Sequence, residues 1–174
     1  LHYLHSTGRT RRDLSSVVVS PRIYKGEGCP RFLTRHELNC VLEAVDRRNP
    51  IGKRDYALLL LLATYGIRGI EATRLKLDDI DWRMNKLHVR ERKCGDYSVY
   101  PLSIPVGNAI LSYLRDGRPQ SRCRELFLCH YAPHKPMSTC CIGYVVRKHF
   151  KLCGVANRPA GPHVFRYTCA QTLL

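Results

Sequence analysis

The spacing of apolar residues predicts a helical chain interrupted by a few strands. Thr34 and Glu37 form a capping-box pattern, which opens an amphipathic helix through about Arg48. Asn49 and Pro50 follow and are typical of a helix end. This predicts the first helix of the main domain.

The next segment is apolar on nearly every face. It predicts a buried helix from about Arg54 to Tyr65, closed by Gly66, and then a short helix from about Gly69 to Leu75. The leucine run is far too short to span a bilayer, so we interpret it as a core helix.

The middle of the chain changes to a period of two. The stretches "KLHVRER" and "YSVYPLS" alternate and are separated by Lys93-Cys94-Gly95-Asp96, which predicts a hairpin. The fold class is therefore α+β, mainly helical with a small antiparallel sheet. The remaining predicted elements are a helix from Pro105 to about Arg115, a short strand at "ELFL", a helix from Ser138 or Thr139 to Gly154, and a final helix from Pro162 or His163 onward through Leu174.

The chain also divides into regions by composition. Residues 1–12 read as the last turns of a helix followed by a basic loop, and prolines and glycines punctuate the stretch that follows. We therefore expect an interdomain linker over 13–30 and the main domain over 31–174.

Charge and cysteine content narrow the classes of function. Lysine and arginine outnumber the acidic residues 29 to 14, giving a net charge of +15, which indicates a polyanionic partner. Nine cysteines, an odd number, include no pair of C-x-x-C motifs, so reduced thiols account for them better than a disulfide scaffold. The most zinc-like cluster is Cys123, Cys129, His130 and His134, but Cys129 and His130 read as the end of a strand.

Four residues whose side chains could take part in catalysis lie at the edges of predicted elements. Arg68 follows the buried helix, Lys93 lies in the hairpin turn, and His163 and Arg166 open the final helix. Taken singly, each has an ordinary reading as a surface ion pair, a solvated lysine or a helix-terminal residue.

Their local sequences together resemble the tyrosine recombinases of the phage integrase family. "YGIRGIEATRLKLDDIDW" is similar to that family's first signature box, "RKCGDYSVYPL" to its lysine hairpin, and "HVFRYTCAQTLL" to its second box. The resemblance covers about residues 30–174 and implies the catalytic-domain fold of these DNA breaking and rejoining enzymes. Residues 1–12 would then be the end of an N-terminal core-binding domain.

The resemblance also implies a role for each residue in site-specific DNA recombination through a phosphotyrosine intermediate. Arg68 and Arg166 would hold the reacting phosphate bidentately. His163 would donate a hydrogen bond or move a proton, and Lys93 would protonate the departing 5′-oxygen. The covalent intermediate conserves the bond energy, so neither a cofactor nor a metal is implied.

Two further positions complete the expected site. Glu71 would orient Arg68, and Tyr167 stands where the family usually has a second histidine. The family's nucleophilic tyrosine lies several helical turns beyond the second arginine, and only eight residues follow Arg166. We therefore expect the catalytic domain to lack its C-terminal part and to be inactive alone.

The expected partner is double-stranded DNA, bound by a homo-oligomer, a tetramer for the full-length parent, in the bacterial cytoplasm. Two other interpretations remain open. The chain could be a DNA-binding remnant or regulator without cleavage activity, because the basic surface does not need the tyrosine. It could also be a decayed gene product, which predicts a marginal fold.

Overall fold

The computed structural model describes residues 5–9, 11, 32–90, 97–155 and 161–172. Residues 13–30, the predicted linker, lie outside this part of the chain. The described elements are α1 (Arg35–Glu43), α2 (Pro50–Tyr65), α3 (Gly69–Arg74), a 3₁₀ turn (Leu77–Asp79), β1 (Ile80–Asp81), β2 (Lys86–Arg90), β3 (Tyr97–Pro101), α4 (Ile104–Asp116), α5 (Thr139–Leu152) and α6 (Pro162–Thr172). The predicted class, mainly helical with a small antiparallel sheet, is confirmed.

Helix α1 begins as predicted and ends early. The Thr34 hydroxyl accepts a hydrogen bond from the Glu37 N–H at 3.2 Å, and the Glu37 carboxylate accepts one from the Thr34 N–H at 2.8 Å. The helix ends at Glu43 rather than near Arg48. The chain turns instead at Asp46, whose carboxylate accepts a hydrogen bond from the Arg48 N–H.

Helix α2 begins four residues before its predicted start. Asn49 caps it, because its side-chain oxygen accepts a hydrogen bond from the Gly52 N–H at 2.7 Å, and Pro50 occupies the first helical position. The interpretation of Asn49 and Pro50 as the end of α1 was therefore wrong. A Cβ atom on Gly52 would lie 1.7 Å from the Asp46 carbonyl oxygen, so only glycine lets the α1–α2 turn pack here.

Helix α2 forms the centre of the core. Its residues Leu58, Leu59, Leu61 and Leu62 are fully buried, and it packs against α4 and α6. Burial on all sides explains why the segment is apolar nearly all round. Within the described residues, no helix is long and apolar enough to cross a membrane.

The sheet has three antiparallel strands in the order β1-β2-β3. The predicted hairpin is confirmed, with Arg90 paired to Tyr97 at its described end. Leu87 and Val89 of β2 are buried, as period two requires. Strand β1 was not predicted, because two residues carry no periodic signal.

The prediction of a strand at 125–128 was wrong. The segment forms one bridge from Glu125 to Lys76 and another from Leu128 to Pro136. Its backbone thus pairs with one segment at one end and a different segment at the other, so no continuous ladder forms. The apolar residues of the segment are nevertheless buried.

The last two helices pack onto the first half of the domain. Helix α5, capped by the Ser138 hydroxyl, packs against α3, while α6 packs against α2. The Thr168 hydroxyl on α6 accepts a hydrogen bond from the Leu33 N–H at 2.8 Å and donates one to the Val164 carbonyl. The described start and end of the domain are thereby joined.

Candidate active site

The site is built around the residue that ends α2. Gly66 has a φ of 58°, in the left-handed region that glycine adopts without strain. A Cβ atom on Gly66 would lie 3.0 Å from the Cβ of Cys169 and 3.5 Å from the Cα of Arg166. Glycine is therefore needed twice here, for the backbone conformation and for the close approach of α6.

Arg68 follows in extended conformation and precedes α3. Its backbone N–H donates to Oε2 of Glu71 at 2.7 Å, and its Nη1 donates to Oε1 of the same carboxylate at 2.8 Å. Glu71 is buried, whereas 48% of the Arg68 side chain is exposed. One buried carboxylate thus binds both the backbone N–H and the guanidinium of Arg68 and leaves that guanidinium at the surface.

Helix α6 brings the second arginine to the same corner of the domain, where α2 ends at Gly66 and Arg68 leads into α3. Nη1 of Arg166 donates a hydrogen bond to the Gly66 carbonyl oxygen at 3.0 Å. At the start of the helix, Pro162 contacts Gly69, where a Cβ atom would lie 3.0 Å from the proline ring. Arg68 lies between these two glycine contacts, so α6 is seated directly beside it.

Three predicted site residues share the exposed side of α6. His163, Arg166 and Tyr167 are exposed, while Val164 and Phe165 between them are buried. Residues three and four apart on a helix are neighbours, so the imidazole, the guanidinium and the phenol form one polar surface. The structure therefore brings Arg68, Glu71, His163, Arg166 and Tyr167 to one region.

Lys93 lies outside the described residues. The strands that lead to it are described, since β2 ends at Arg90 and β3 begins at Tyr97. The role of Lys93 stays a prediction.

Other tyrosines of the domain have structural contacts. The Tyr65 hydroxyl donates to the Pro101 carbonyl at 2.9 Å and accepts from the Ser103 N–H at 3.0 Å, which ties α2 to the start of α4. Tyr113 is fully buried, and its hydroxyl accepts a hydrogen bond from the Leu128 N–H. Both hydroxyls therefore have structural hydrogen-bond partners.

Among the described residues, no group of three or more histidine, cysteine or acidic side chains is arranged to hold a metal ion. His134 instead hydrogen-bonds through Nδ1 to the Cys129 carbonyl oxygen at 3.3 Å. The seven described cysteines are free thiols.

Sequence reasoning missed a buried ionic cluster at the other end of α2. The Asp55 carboxylate, 1% exposed, lies 2.8 Å from Nη2 of Arg54 and 3.1 Å from Nε2 of His149. Burial alone would raise the pKa of Asp55, but the His149 hydrogen bond and the Arg54 charge outweigh it and hold the pKa below its ordinary value. The signal was present, because an acidic residue inside an apolar helix requires a partner.

Comparison with known proteins agrees with this geometry. The sequence profile described as "Phage integrase family" matches residues 31–174. A putative integrase/recombinase of Sinorhizobium fredii, y4gC, is 42% identical over 147 residues, which cover 83% of this chain and 76% of the relative. A second, y4rA, is 34% identical over the whole of this chain and 42% of its own length.

Solved structures show the same fold. The crystal structure of the XerA recombinase has a TM-score of 0.70 and 25% identity, covering 89% of this chain and 52% of that one. The XerH recombinase bound to its difH DNA has a TM-score of 0.72 at 19% identity, covering 87% of this chain and 44% of that one. The chain thus spans about half the length of several proteins that it matches. By profile, by relatives and by fold, it belongs to the phage integrase family and contains a tyrosine-recombinase catalytic domain.

Proposed function

We propose that this chain is part of an enzyme for site-specific DNA recombination, in which the corner at Gly66 binds the phosphate that reacts. One observation carries the proposal. Arg68 and Arg166, from helices distant in sequence, are both anchored at this corner, one by Glu71 and the other by the Gly66 carbonyl. Two guanidiniums anchored at one corner suit the negative charge that develops on a phosphate in the transition state.

The other proposed site residues would donate hydrogen bonds or transfer protons. His163 shares the exposed side of α6 with Arg166, where an imidazole can donate a hydrogen bond to a phosphate oxygen or exchange a proton with a nucleophile. Tyr167, 44% exposed, would offer a phenolic donor in place of the family's usual second histidine. Lys93 would be the acid for the departing 5′-oxygen, as the resemblance implies.

Double-stranded DNA is the proposed substrate. Three similar solved structures, two of XerH and one of λ integrase, are described as bound to DNA substrates or sites. The net charge of +15 suits the same partner. Assembly of the full-length parent as a tetramer on DNA is part of the proposal, as is a linker over 13–30 that joins this domain to a core-binding domain. The alternative of a non-catalytic remnant is not favoured by the relatives, which are named as recombinases.

Binding to a duplex tests the phosphate site. A fluorescein-labelled duplex of about 30 base pairs is titrated with the wild-type chain and with an Arg68→Gln, Arg166→Gln variant, and anisotropy gives Kd. A charged hydrogen bond contributes about 1.5–3 kcal/mol, so we expect the variant to bind at least about tenfold more weakly.

The control removes the same charge elsewhere. Arg48 and Arg115 are exposed, and both lie near the start of α2, roughly 20 Å along that helix from Gly66. An Arg48→Gln, Arg115→Gln variant should bind almost like the wild type. If the Arg68 and Arg166 variant binds no more weakly than this control, the proposed role of the corner is wrong.

A further inference from the structure

A second basic cleft lies at the end of α3 opposite Arg68. It has a volume of about 550 Å³ and opens between the end of α3, the β2–β3 hairpin and the segment that runs from Glu125 to Met137. Its charged lining consists of Arg74, Lys76, Arg90 and Glu125. Among the described residues that line this cleft, none is Arg68, Glu71, His163, Arg166 or Tyr167.

The cations of this cleft are mostly uncompensated. Within the described part of the chain, no carboxylate forms an ion pair with Arg74 or Lys76. Arg90 has a long contact of 3.7 Å to Asp79, and Glu125 is the acidic residue of the described lining. The cleft therefore retains a positive charge that favours an anion.

Asp78 lies two residues after Lys76 but pairs with Arg124, which is not among the described residues that line the cleft. This neighbouring carboxylate therefore does not compensate Arg74 or Lys76.

The shape of the cleft is held by the hairpin. The Arg90 guanidinium lies over the ring of Tyr97, 5.4 Å from its centroid, and the two residues are paired across β2 and β3. Stacking on an aromatic ring restricts the guanidinium without neutralising it. An anion in the cleft would contact this hairpin and the end of α3 together.

The distance between the two sites fits a DNA strand. Arg74 is six residues after Arg68, which corresponds to roughly 9 Å along α3. The separation is of the same order as the spacing of phosphates along one DNA strand, so the cleft and Arg68 can contact different phosphates of the same strand.

We propose that this cleft binds a second backbone phosphate of the DNA, on the same strand as the phosphate held by Arg68 and Arg166. The inference rests on the proposed function for the position of the first phosphate. Its consequence is a fixed strand register, because two phosphates held by one rigid element determine which bond lies at the catalytic corner.

The salt dependence of DNA binding tests the cleft. The wild-type chain and an Arg74→Gln, Lys76→Gln variant bind a random-sequence duplex of about 30 base pairs at potassium chloride concentrations from about 50 to 200 mM. Each lost phosphate contact lowers the slope of log K against log salt by about 0.9, so we expect loss of the one phosphate bound in the cleft to lower the slope by about this amount. The Arg48→Gln, Arg115→Gln variant, with the same charge change, should keep the wild-type slope.

Each outcome supports or overturns the proposal. An unchanged slope in the cleft variant overturns it, and so does an equal decrease in the control, which would indicate a diffuse field. If the cleft variant melts below the assay temperature, Arg74→Gln alone, at an exposed position, should lower the slope by about one, and an unchanged slope overturns the proposal.

A third variant separates this inference from the proposed function. The Arg68→Gln, Arg166→Gln variant should also lower the slope of log K against log salt, because it removes a different phosphate contact. If this variant binds like the wild type while the cleft variant shows a lower slope of log K against log salt, that result refutes the proposed phosphate site at Gly66. The same result supports the proposed phosphate site in the cleft. If the wild-type chain does not bind the duplex at all, both fail.

Discussion

Substitution of Gly66 by alanine isolates the cost of seating α6 on the end of α2. Alanine in the left-handed region costs about 1–2 kcal/mol. The added Cβ atom would also lie 3.0 Å from the Cβ and 3.3 Å from the Sγ of Cys169. Crowding of a packed interface costs about 1–3 kcal/mol more, so we expect Gly66→Ala to lower the free energy of unfolding by about 2–5 kcal/mol.

Gly154 provides a matched control within the same chain. Its φ of 71° lies in the same region, but no described atom lies within 4 Å of its Cβ position. Gly154→Ala should therefore show the conformational cost alone, about 1–2 kcal/mol. The difference between the two variants measures the crowding against α6.

Two measurements check this reasoning. Urea denaturation followed by circular dichroism gives both free energies of unfolding, and anisotropy gives the affinity for duplex DNA. Gly66→Ala should also weaken DNA binding, because a displaced α6 moves Arg166, whereas Gly154→Ala should not. Equal losses of stability in the two variants would refute the argument that glycine is needed here for close packing.

Two further substitutions probe buried polar contacts. Thr168→Val leaves the Leu33 N–H without its acceptor, so urea denaturation should show that the free energy of unfolding falls by about 1–3 kcal/mol. Thr168→Ser keeps the hydroxyl and should retain most of the wild-type stability. A serine variant as unstable as the valine variant would contradict this. Because the pKa of Asp55 is depressed by His149 and Arg54, against the effect of burial, its contribution to stability is present above the ordinary carboxyl pKa of about 3.9 and is lost as pH falls through the folded value. Asp55→Asn should therefore cost about 3 kcal/mol at pH 7, and the difference from wild type should shrink below about pH 4; a difference independent of pH would refute it.

The sequence predicted those features that depend on neighbouring residues. The Thr34 capping box, the burial of α2, its end at Gly66 and the β2–β3 hairpin each depend on a few adjacent positions, and each is confirmed. An ion pair between Arg68 and Glu71 was one interpretation of the sequence, because both residues lie within one helical turn, and the structure contains it.

Features that depend on distant segments were predicted less well. The segment 125–128 has the composition of a strand, but its hydrogen bonds go to Leu75 on one side and Met137 on the other. Asn49 was read as a helix end because the turn that makes it a cap depends on Gly52 admitting the Asp46 carbonyl. The prediction that Arg68 and Arg166 lie in one site came from a family resemblance. The local sequence pattern carries no information about contacts between residues about 100 positions apart.

The hydrogen bond between Arg166 and Gly66 spans 100 residues, and that between Leu33 and Thr168 spans 135. Contacts this distant in sequence form late, because the entropy of closing a long loop is lost before they can stabilise the fold. On the ribosome, residues 32–116 emerge long before α6. A nascent chain can therefore complete its central helix and hairpin while the corner at Gly66 still lacks its second guanidinium. The phosphate site proposed at this corner therefore forms only when α6 docks, after the central helix and the hairpin are in place.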